Sequence, residues 1–143
     1  MDRIKYVAFA LDAGSKARLR NLVSELFQDA YSDVYCDHVT LAYGPEQVAA
    51  FDGSLFGKTA SLESWNVIYD ENGAALDLPR DELLPLGVNN EHPHVTLACA
   101  AGTRPVYSNE LIGGFYRGTN DAQVVQLERP VGVSGCVRPV YAS

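Results

Sequence analysis

A five-residue segment occurs twice in this chain, and this repeat restricts the possible folds more than any other feature of the sequence. The order His-Val-Thr-Leu-Ala occupies residues 38–42 and again residues 94–98. Apolar and β-branched residues alternating with polar ones are typical of a strand with one buried face. Side chains at i and i+2 of a strand point to the same face. Each copy therefore predicts a strand that buries Val and Leu and displays one imidazole and one hydroxyl together.

The displayed side chains are His38 and Thr40 in the first copy and His94 and Thr96 in the second. Side by side, two such strands surround a small ligand with groups suited to cleaving a phosphodiester. A neutral imidazole takes a proton from the attacking water or hydroxyl, and a protonated imidazole gives one to the leaving oxygen. The hydroxyls donate hydrogen bonds to the non-bridging phosphate oxygens. We therefore predict these four residues to be catalytic, against the alternative of two unrelated buried strands that each carry a histidine.

Two His-x-Thr motifs separated by a strand-rich middle resemble the 2H phosphoesterase superfamily. The two histidines are 56 residues apart, and the resemblance extends over most of the chain. It implies a single domain with the α+β, LigT-like fold of that superfamily. In this fold, two pseudo-symmetric lobes of antiparallel sheet with flanking helices surround a central cleft. It also implies hydrolysis of cyclic or linear phosphodiesters in nucleotides or RNA ends, with no metal and no cofactor.

Two members of the superfamily are similar in different respects. Residues 93–97 and 108–111 resemble the cyclic phosphodiesterase domain of tRNA ligases, which opens 2′,3′-cyclic phosphates. The length of 143 residues resembles that of phage enzymes that degrade cyclic oligonucleotide signals. The sequence leaves both substrates open.

The remaining elements follow from periodicity and turn residues. Apolar residues at spacings of three and four predict a helix over residues 16–30, with Ser15 as its N-cap. We expect the basic residues 16–20 to form the solvated face of this helix. Further predicted strands cover residues 4–11, 33–43, 59–69, 74–78, 95–100, 124–127 and 131–140, and short helical turns cover 46–51, 81–84 and 108–112.

The charge balance bears on the partners. The formal net charge is −7 at pH 7, so the chain has no broad positive field that would attract long duplex nucleic acid. A small nucleotide or an RNA end held in a local pocket is the expected substrate. The first apolar run, residues 6–11, is too short for a signal peptide or a membrane span, so no membrane partner is expected.

The cysteines indicate the compartment. Cys36, Cys99 and Cys136 are odd in number and far apart, which matches neither a disulfide framework nor a zinc framework. This usage predicts a reducing, cytoplasmic environment.

Three aromatic residues are candidates for stacking on a nucleobase. Tyr43 follows the first motif strand, although its odd offset from His38 also allows it to face the core. Trp65 lies in the predicted middle hairpin and Tyr6 lies on the first strand. Base stacking contributes ~1–3 kcal/mol per base.

Other chemistry was weighed for the same region. A metal site would use His92 and His94 with Glu91 or Asp37, but Pro93 imposes loop geometry and no further histidine is near. Cys36 shares the predicted strand face of His38, but a buried, unreactive thiol is the better interpretation. Apart from the phosphodiesterase, a binding module that sequesters a cyclic nucleotide in the same cleft and a structural domain without a ligand stay open.

Overall fold

Alternation of apolar and polar residues builds seven antiparallel strands in the described part of the chain, which also contains four α-helices. The computed structural model describes residues 3–142. The strands are β1 (Ile4–Leu11), β2 (Asp33–Val34), β3 (His38–Tyr43), β4 (Thr59–Tyr69), β5 (Gly73–Asp77), β6 (His94–Cys99) and β7 (Gln123–Tyr141). The helices are α1 (Ala13–Phe27), α2 (Pro45–Ala50), α3 (Arg80–Leu83) and α4 (Tyr107–Arg117).

All strands belong to one hydrogen-bonded sheet. Its order is β2-β6-β3-β1-β7-β4-β5, and β5 also pairs with β6, so six of the strands form a closed ring. The predicted α+β class with antiparallel strands is confirmed. The two lobes expected from the resemblance are not separate sheets, because β3–β6 pairing and the long β7 join them through backbone hydrogen bonds.

The main core lies on one face of this sheet. Val39 and Leu41 of β3 and Val95 and Leu97 of β6 are at most 1% exposed and pack in the same cluster as the apolar side of α1. Burial of each such side chain contributes ~1.5–3 kcal/mol. The valine and the leucine of each repeat are therefore buried in the core, as the alternating pattern predicts.

A second, smaller cluster lies under α4. Leu111 and Ile112 of this helix pack on Ile68 of β4 and Ala75 of β5. The helix is longer than the predicted turn over residues 108–112, because its apolar face continues to bury against the sheet.

The start of α1 differs from the prediction. Asp12, not Ser15, is the N-cap: its carboxylate accepts a hydrogen bond from the Ser15 backbone N–H at 2.8 Å. The Ser15 side chain is buried instead, and its hydroxyl accepts from the Ser134 N–H at 2.7 Å. The helix ends at Phe27, earlier than predicted, where Gln28 adopts a φ of 53°.

The strand predicted over residues 33–43 is interrupted. Cys36 has a φ of 57°, in the left-handed region that breaks a strand, and β2 and β3 lie on either side of it. Conversely, the two predicted closing strands are one strand, β7, which pairs with β1 near its end and with β4 along its first part. The hairpin of β4 and β5 has nearly its predicted bounds.

Two further observations concern the cysteines and the helices. All three cysteines are free, with Cys36 and Cys99 buried. Within residues 3–142, no helix has the length and apolar character needed to cross a bilayer.

Gly135 allows β7 to approach β1 closely, which gives a test of this packing. A Cβ on Gly135 would lie 2.3 Å from the backbone oxygen of Ala10, and neither strand can yield without breaking pairing. We expect Gly135→Ala to lower the free energy of unfolding by about 1–3 kcal/mol, measured by urea denaturation. Gly132→Ala is the matched control, since its Cβ meets its nearest atom at 4.0 Å. Equal effects of the two variants would contradict the close approach.

Candidate functional site

The pairing of β3 with β6 brings the two repeats together. The strands are antiparallel, and Val39 is the pairing partner of Val95. Both valines are completely buried on the core side, so the residues next to them in each strand project from the other face. These flanking residues are His38 and Thr40 on β3 and His94 and Thr96 on β6.

The antiparallel register arranges the four side chains as two diagonals. It puts His38 across from Thr96, and Thr40 across from His94. The two imidazoles are therefore diagonal neighbours, for which a separation of ~7–8 Å is typical. That separation leaves room for a phosphate group between the rings. All four residues are half-buried rather than walled off from solvent.

The ring of His94 is oriented by the backbone just before its strand. Its Nδ1 lies 2.9 Å from the backbone oxygen of His92. A carbonyl oxygen can only accept, so Nδ1 carries a proton and Nε2 is left for a ligand. On the other side, β5 places Asp77 next to His94, and the Tyr116 hydroxyl of α4 donates a hydrogen bond to the Asp77 carboxylate. Sequence reasoning missed Asp77 and Tyr116, because only the strand pairing brings them near.

The two threonines differ in their surroundings. The Thr96 hydroxyl lies 2.9 Å from the hydroxyl of Ser108 and 3.3 Å from the backbone oxygen of Pro105. Within the described residues, no protein group bonds to the Thr40 hydroxyl or to the His38 ring. Thr40 can therefore donate to a ligand at once, whereas Thr96 must first exchange a partner.

Burial lowers the pKa of both imidazoles, because it disfavours the charged ring. For His38, the carboxylate of Asp37 opposes this shift and the ammonium of Lys16 adds to it. For His94, the hydrogen bond to the His92 carbonyl raises the pKa, while the charges of the His38 and His92 rings lower it. Both rings are consequently neutral at neutral pH when no anion is bound.

Tyr6 and Tyr43 extend the face beyond His38. The Tyr6 ring stacks on His38 at a centroid distance of 5.4 Å and on Tyr43 at 6.0 Å. Tyr43 is 60% exposed, so one side of this aromatic row is open to a ligand. Two of the three predicted stacking residues, Tyr6 and Tyr43, therefore lie beside the first motif.

A β-bulge explains why Tyr43 faces this way despite its odd offset. The register between β1 and β3 shifts after the pair Ala8–Thr40, which leaves Leu41 as an extra residue. Leu41 and Ala42 are both buried in the main core, and the next residue, Tyr43, returns to the histidine face. The bulge depends on pairing with β1 and could not be read from β3 alone.

Trp65 lies apart from this row. It is 49% exposed on β4 and lines a cleft of about 550 Å³ together with Asp77, His92 and Tyr116. Strand β5 separates it from His94. Its role in stacking stays a prediction.

The described residues offer no geometry that supports the metal site or the Cys36 nucleophile. Within residues 3–142, no three His, Cys, Asp or Glu side chains come together as a set that could hold a metal ion. Cys36 is buried, its thiol donates to the Leu97 backbone oxygen, and burial raises its pKa to about 12. A thiol with that pKa is a poor nucleophile at neutral pH.

Two alanines widen the site on the side of β1. Ala10 pairs with His38, and Ala8 pairs with Thr40, so the pairing partners of both motif residues on β1 carry only methyl groups. Beyond them, Arg138 of β7 pairs with Ala8. Lys16, which was expected on the solvated face of α1, is half-buried. Its ammonium lies close enough to His38 to lower the pKa of that ring. The alternation of side chains along β7 could have indicated that Arg138 points away from the core. It could not have indicated which residues lie near Arg138.

The comparisons with known proteins show a similarity of fold but no match in sequence. No family model matches the sequence, and no curated protein matches it. A solved structure described as a fungal RNA kinase superposes with a TM-score of 0.70 at 14% sequence identity. The match covers 98% of this chain and 46% of that protein, so the chain spans less than half of its length. The chain shares the fold of one part of an RNA kinase.

The lowered histidine pKa values predict how stability depends on pH. Below the ordinary value of 6.5, the unfolded chain binds protons at both rings while the folded chain resists them. The free energy of unfolding therefore falls as the pH decreases through this range. We expect the double variant H38Q/H94Q to lose part of this decrease, measured by urea denaturation between pH 7 and pH 5. Parallel curves for the two proteins would contradict the assigned burial.

Proposed function

We propose that this protein hydrolyses a cyclic phosphate or phosphodiester of a nucleotide or RNA end, with His38 and His94 as general acid and base. The observation that carries this proposal is the register around Val39 and Val95, which puts two imidazoles and two hydroxyls on one half-buried face. The resemblance of the two His-x-Thr motifs to those of the 2H phosphoesterases supports the same proposal. The fold shared with part of an RNA kinase supports an RNA or nucleotide substrate.

The reaction needs one neutral and one protonated ring. The oxygen of a water molecule bonds to phosphorus while the bond from phosphorus to the leaving oxygen breaks. The neutral imidazole accepts the water proton, and the protonated imidazole gives its proton to the leaving oxygen. One water is consumed, and the proton moves from one histidine to the other, so exchange with solvent restores the starting state.

A bound anion raises the proton affinity of the two imidazoles, which burial has lowered. Both rings are neutral without a ligand, because burial lowers their pKa values. A phosphate between the rings stabilises an imidazolium and so raises the pKa of at least one of them. Thr40, whose hydroxyl has no protein partner within the described residues, donates to a non-bridging oxygen.

A sequestering module is the second candidate, and one observation favours it. The Thr96 hydroxyl is already engaged with Ser108 and Pro105, so one half of the symmetric set is not free in this arrangement. Such a site binds a cyclic nucleotide in the same cleft without hydrolysing it. Overnight incubation followed by mass spectrometry separates the two functions, since only hydrolysis adds the mass of water.

Removal of either imidazole tests the mechanism. We expect His38→Ala and His94→Ala each to lower kcat by at least ~10² on 2′,3′-cyclic mononucleotides or cyclic di- and trinucleotides, because each loses a proton-transfer group. His92→Gln is the comparison variant: that ring stacks on Tyr116 outside the four-residue face and acts on His94 only through its charge, so a smaller change in kcat is expected. Circular dichroism checks that the variants are folded. EDTA is expected to have no effect.

Full activity in either alanine variant would refute the two-histidine mechanism. Strong inhibition by EDTA that added zinc reverses would replace it with a metal site. Unchanged ligand with measurable affinity would favour the sequestering module.

The aromatic row tests recognition of the base. We expect Tyr43→Ala to raise the KM for a nucleotide substrate by about 5- to 150-fold, because stacking on one base contributes ~1–3 kcal/mol. Tyr141→Ala is the control, because Tyr141 is similarly exposed, at 53%, but pairs with Ile4 and lies outside the stack of His38, Tyr6 and Tyr43. Steady-state kinetics of the two variants provide the measurement, and an unchanged KM in Tyr43→Ala would remove stacking at this position.

A further inference from the structure

We propose that the cleft beyond Ala10, lined by Lys16 and Arg138, is a second phosphate subsite next to the histidine face. The link between the two sites rests on the proposed function. The subsite itself rests on its position, its charge and its hydrogen-bond donors.

The position follows from the strand order β3-β1-β7. The cleft has a volume of about 580 Å³, and Ala10, the pairing partner of His38, lines it. On the other side, Ala10 pairs with Cys136 of β7, which also lines it. Adjacent strands are ~4.8 Å apart, so β7 runs roughly 10 Å from β3. Ala10 is the lining residue that pairs with His38, and its side chain is a single methyl group, so the cleft begins next to the histidine face.

The charge of this cleft is opposite to that of the protein. The chain has a net charge of −7, yet Lys16 and Arg138 both line this one cleft. Among residues 3–142, neither has a carboxylate within 4 Å, unlike Arg20, which approaches Asp37 at 3.9 Å. The one carboxylate in the lining, Asp12, is turned towards the start of α1, where it accepts the Ser15 N–H. Two cations without acidic partners indicate an anionic ligand.

Hydroxyl groups complete the lining. Thr59, Ser61 and Ser134 border the cleft, and the hydroxyls of Ser61 and Ser134 lie 2.8 Å apart. One of these two hydroxyls donates to the other, so the acceptor keeps its own proton for another partner. Guanidinium, ammonium and hydroxyl groups are together the donors that phosphate oxygens accept from.

The cleft on the opposite side of the motif pair has the reverse character. The cleft that Trp65 lines contains the carboxylates of Glu63, Asp77, Glu82 and Glu91, against one arginine, Arg80. A second phosphate is therefore favoured on the His38 side only. This asymmetry predicts a substrate with two phosphate groups: the scissile one between the histidines, and another one nucleotide away, as in an oligonucleotide or a 5′-phosphorylated end.

The test compares two probes that differ by one phosphate. Calorimetric titration at fixed salt measures the Kd of adenosine 3′-phosphate and of adenosine 3′,5′-bisphosphate. We expect the bisphosphate to bind about 10- to 100-fold more tightly to the wild type, since charge-assisted hydrogen bonds to the second phosphate form only in this cleft. Arg138→Gln is expected to reduce this ratio to near one, and Arg138→Lys to restore part of it.

Arg129→Gln is the matched control. It removes the same charge from an exposed position on the same strand, outside the cleft, and is expected to keep the ratio. A ratio near one in the wild type, or equal losses in the Arg129 and Arg138 variants, would overturn the subsite. Unchanged melting temperatures show that Arg138→Gln is folded.

Turnover of cyclic phosphates by the wild type is measured separately. A wild type that prefers the bisphosphate through Arg138 but hydrolyses no cyclic phosphate would refute the proposed function and support the subsite. Hydrolysis that depends on both histidines, without any preference for the bisphosphate, would support the function and overturn the subsite.

Discussion

The candidate site depends on one backbone pairing, that of Val39 with Val95. Each valine is buried on the core side of its strand, so the sheet cannot slip by one residue without exposing the apolar side chains of both repeats. The same constraint keeps the imidazoles and hydroxyls on the opposite face. The hydrophobic core thus sets the geometry of the polar site, although it makes no contact with a ligand.

The surroundings of that face differ on its two sides, although the repeats are identical over five residues. Next to His38, β1 contributes the methyl group of Ala10 and the stacked ring of Tyr6, and Lys16 and Arg138 line the cleft beyond Ala10. Next to His94, β5 contributes Asp77, and α4 covers the sheet with Tyr116 and Ser108. A symmetric pair of motifs therefore has different residues on its two sides, an asymmetry that the proposed function would use to favour one direction of a bound ligand.

Much of this could be predicted from local pattern. The alternation in the repeats predicts which residues are buried, and the bounds of β4 and most of α1 follow from periodicity. The interruption at Cys36 and the bulge at Leu41 could not be predicted, because each is a response to the register of a neighbouring strand. Tyr43 illustrates the difference: its offset from His38 left its direction open, and pairing with β1 decided it.

The sequence by itself determined the residue types of the candidate site, two His-x-Thr strands in an acidic chain of the α+β class, since these depend on residue identity and short-range spacing. Only the tertiary structure decided which residues share the face with the histidines. Asp77, Ser108, Lys16 and Arg138 are distant in the chain, and contacts of that kind arise from strand order and helix packing. Strand order reflects the burial of the whole core, which no local segment encodes.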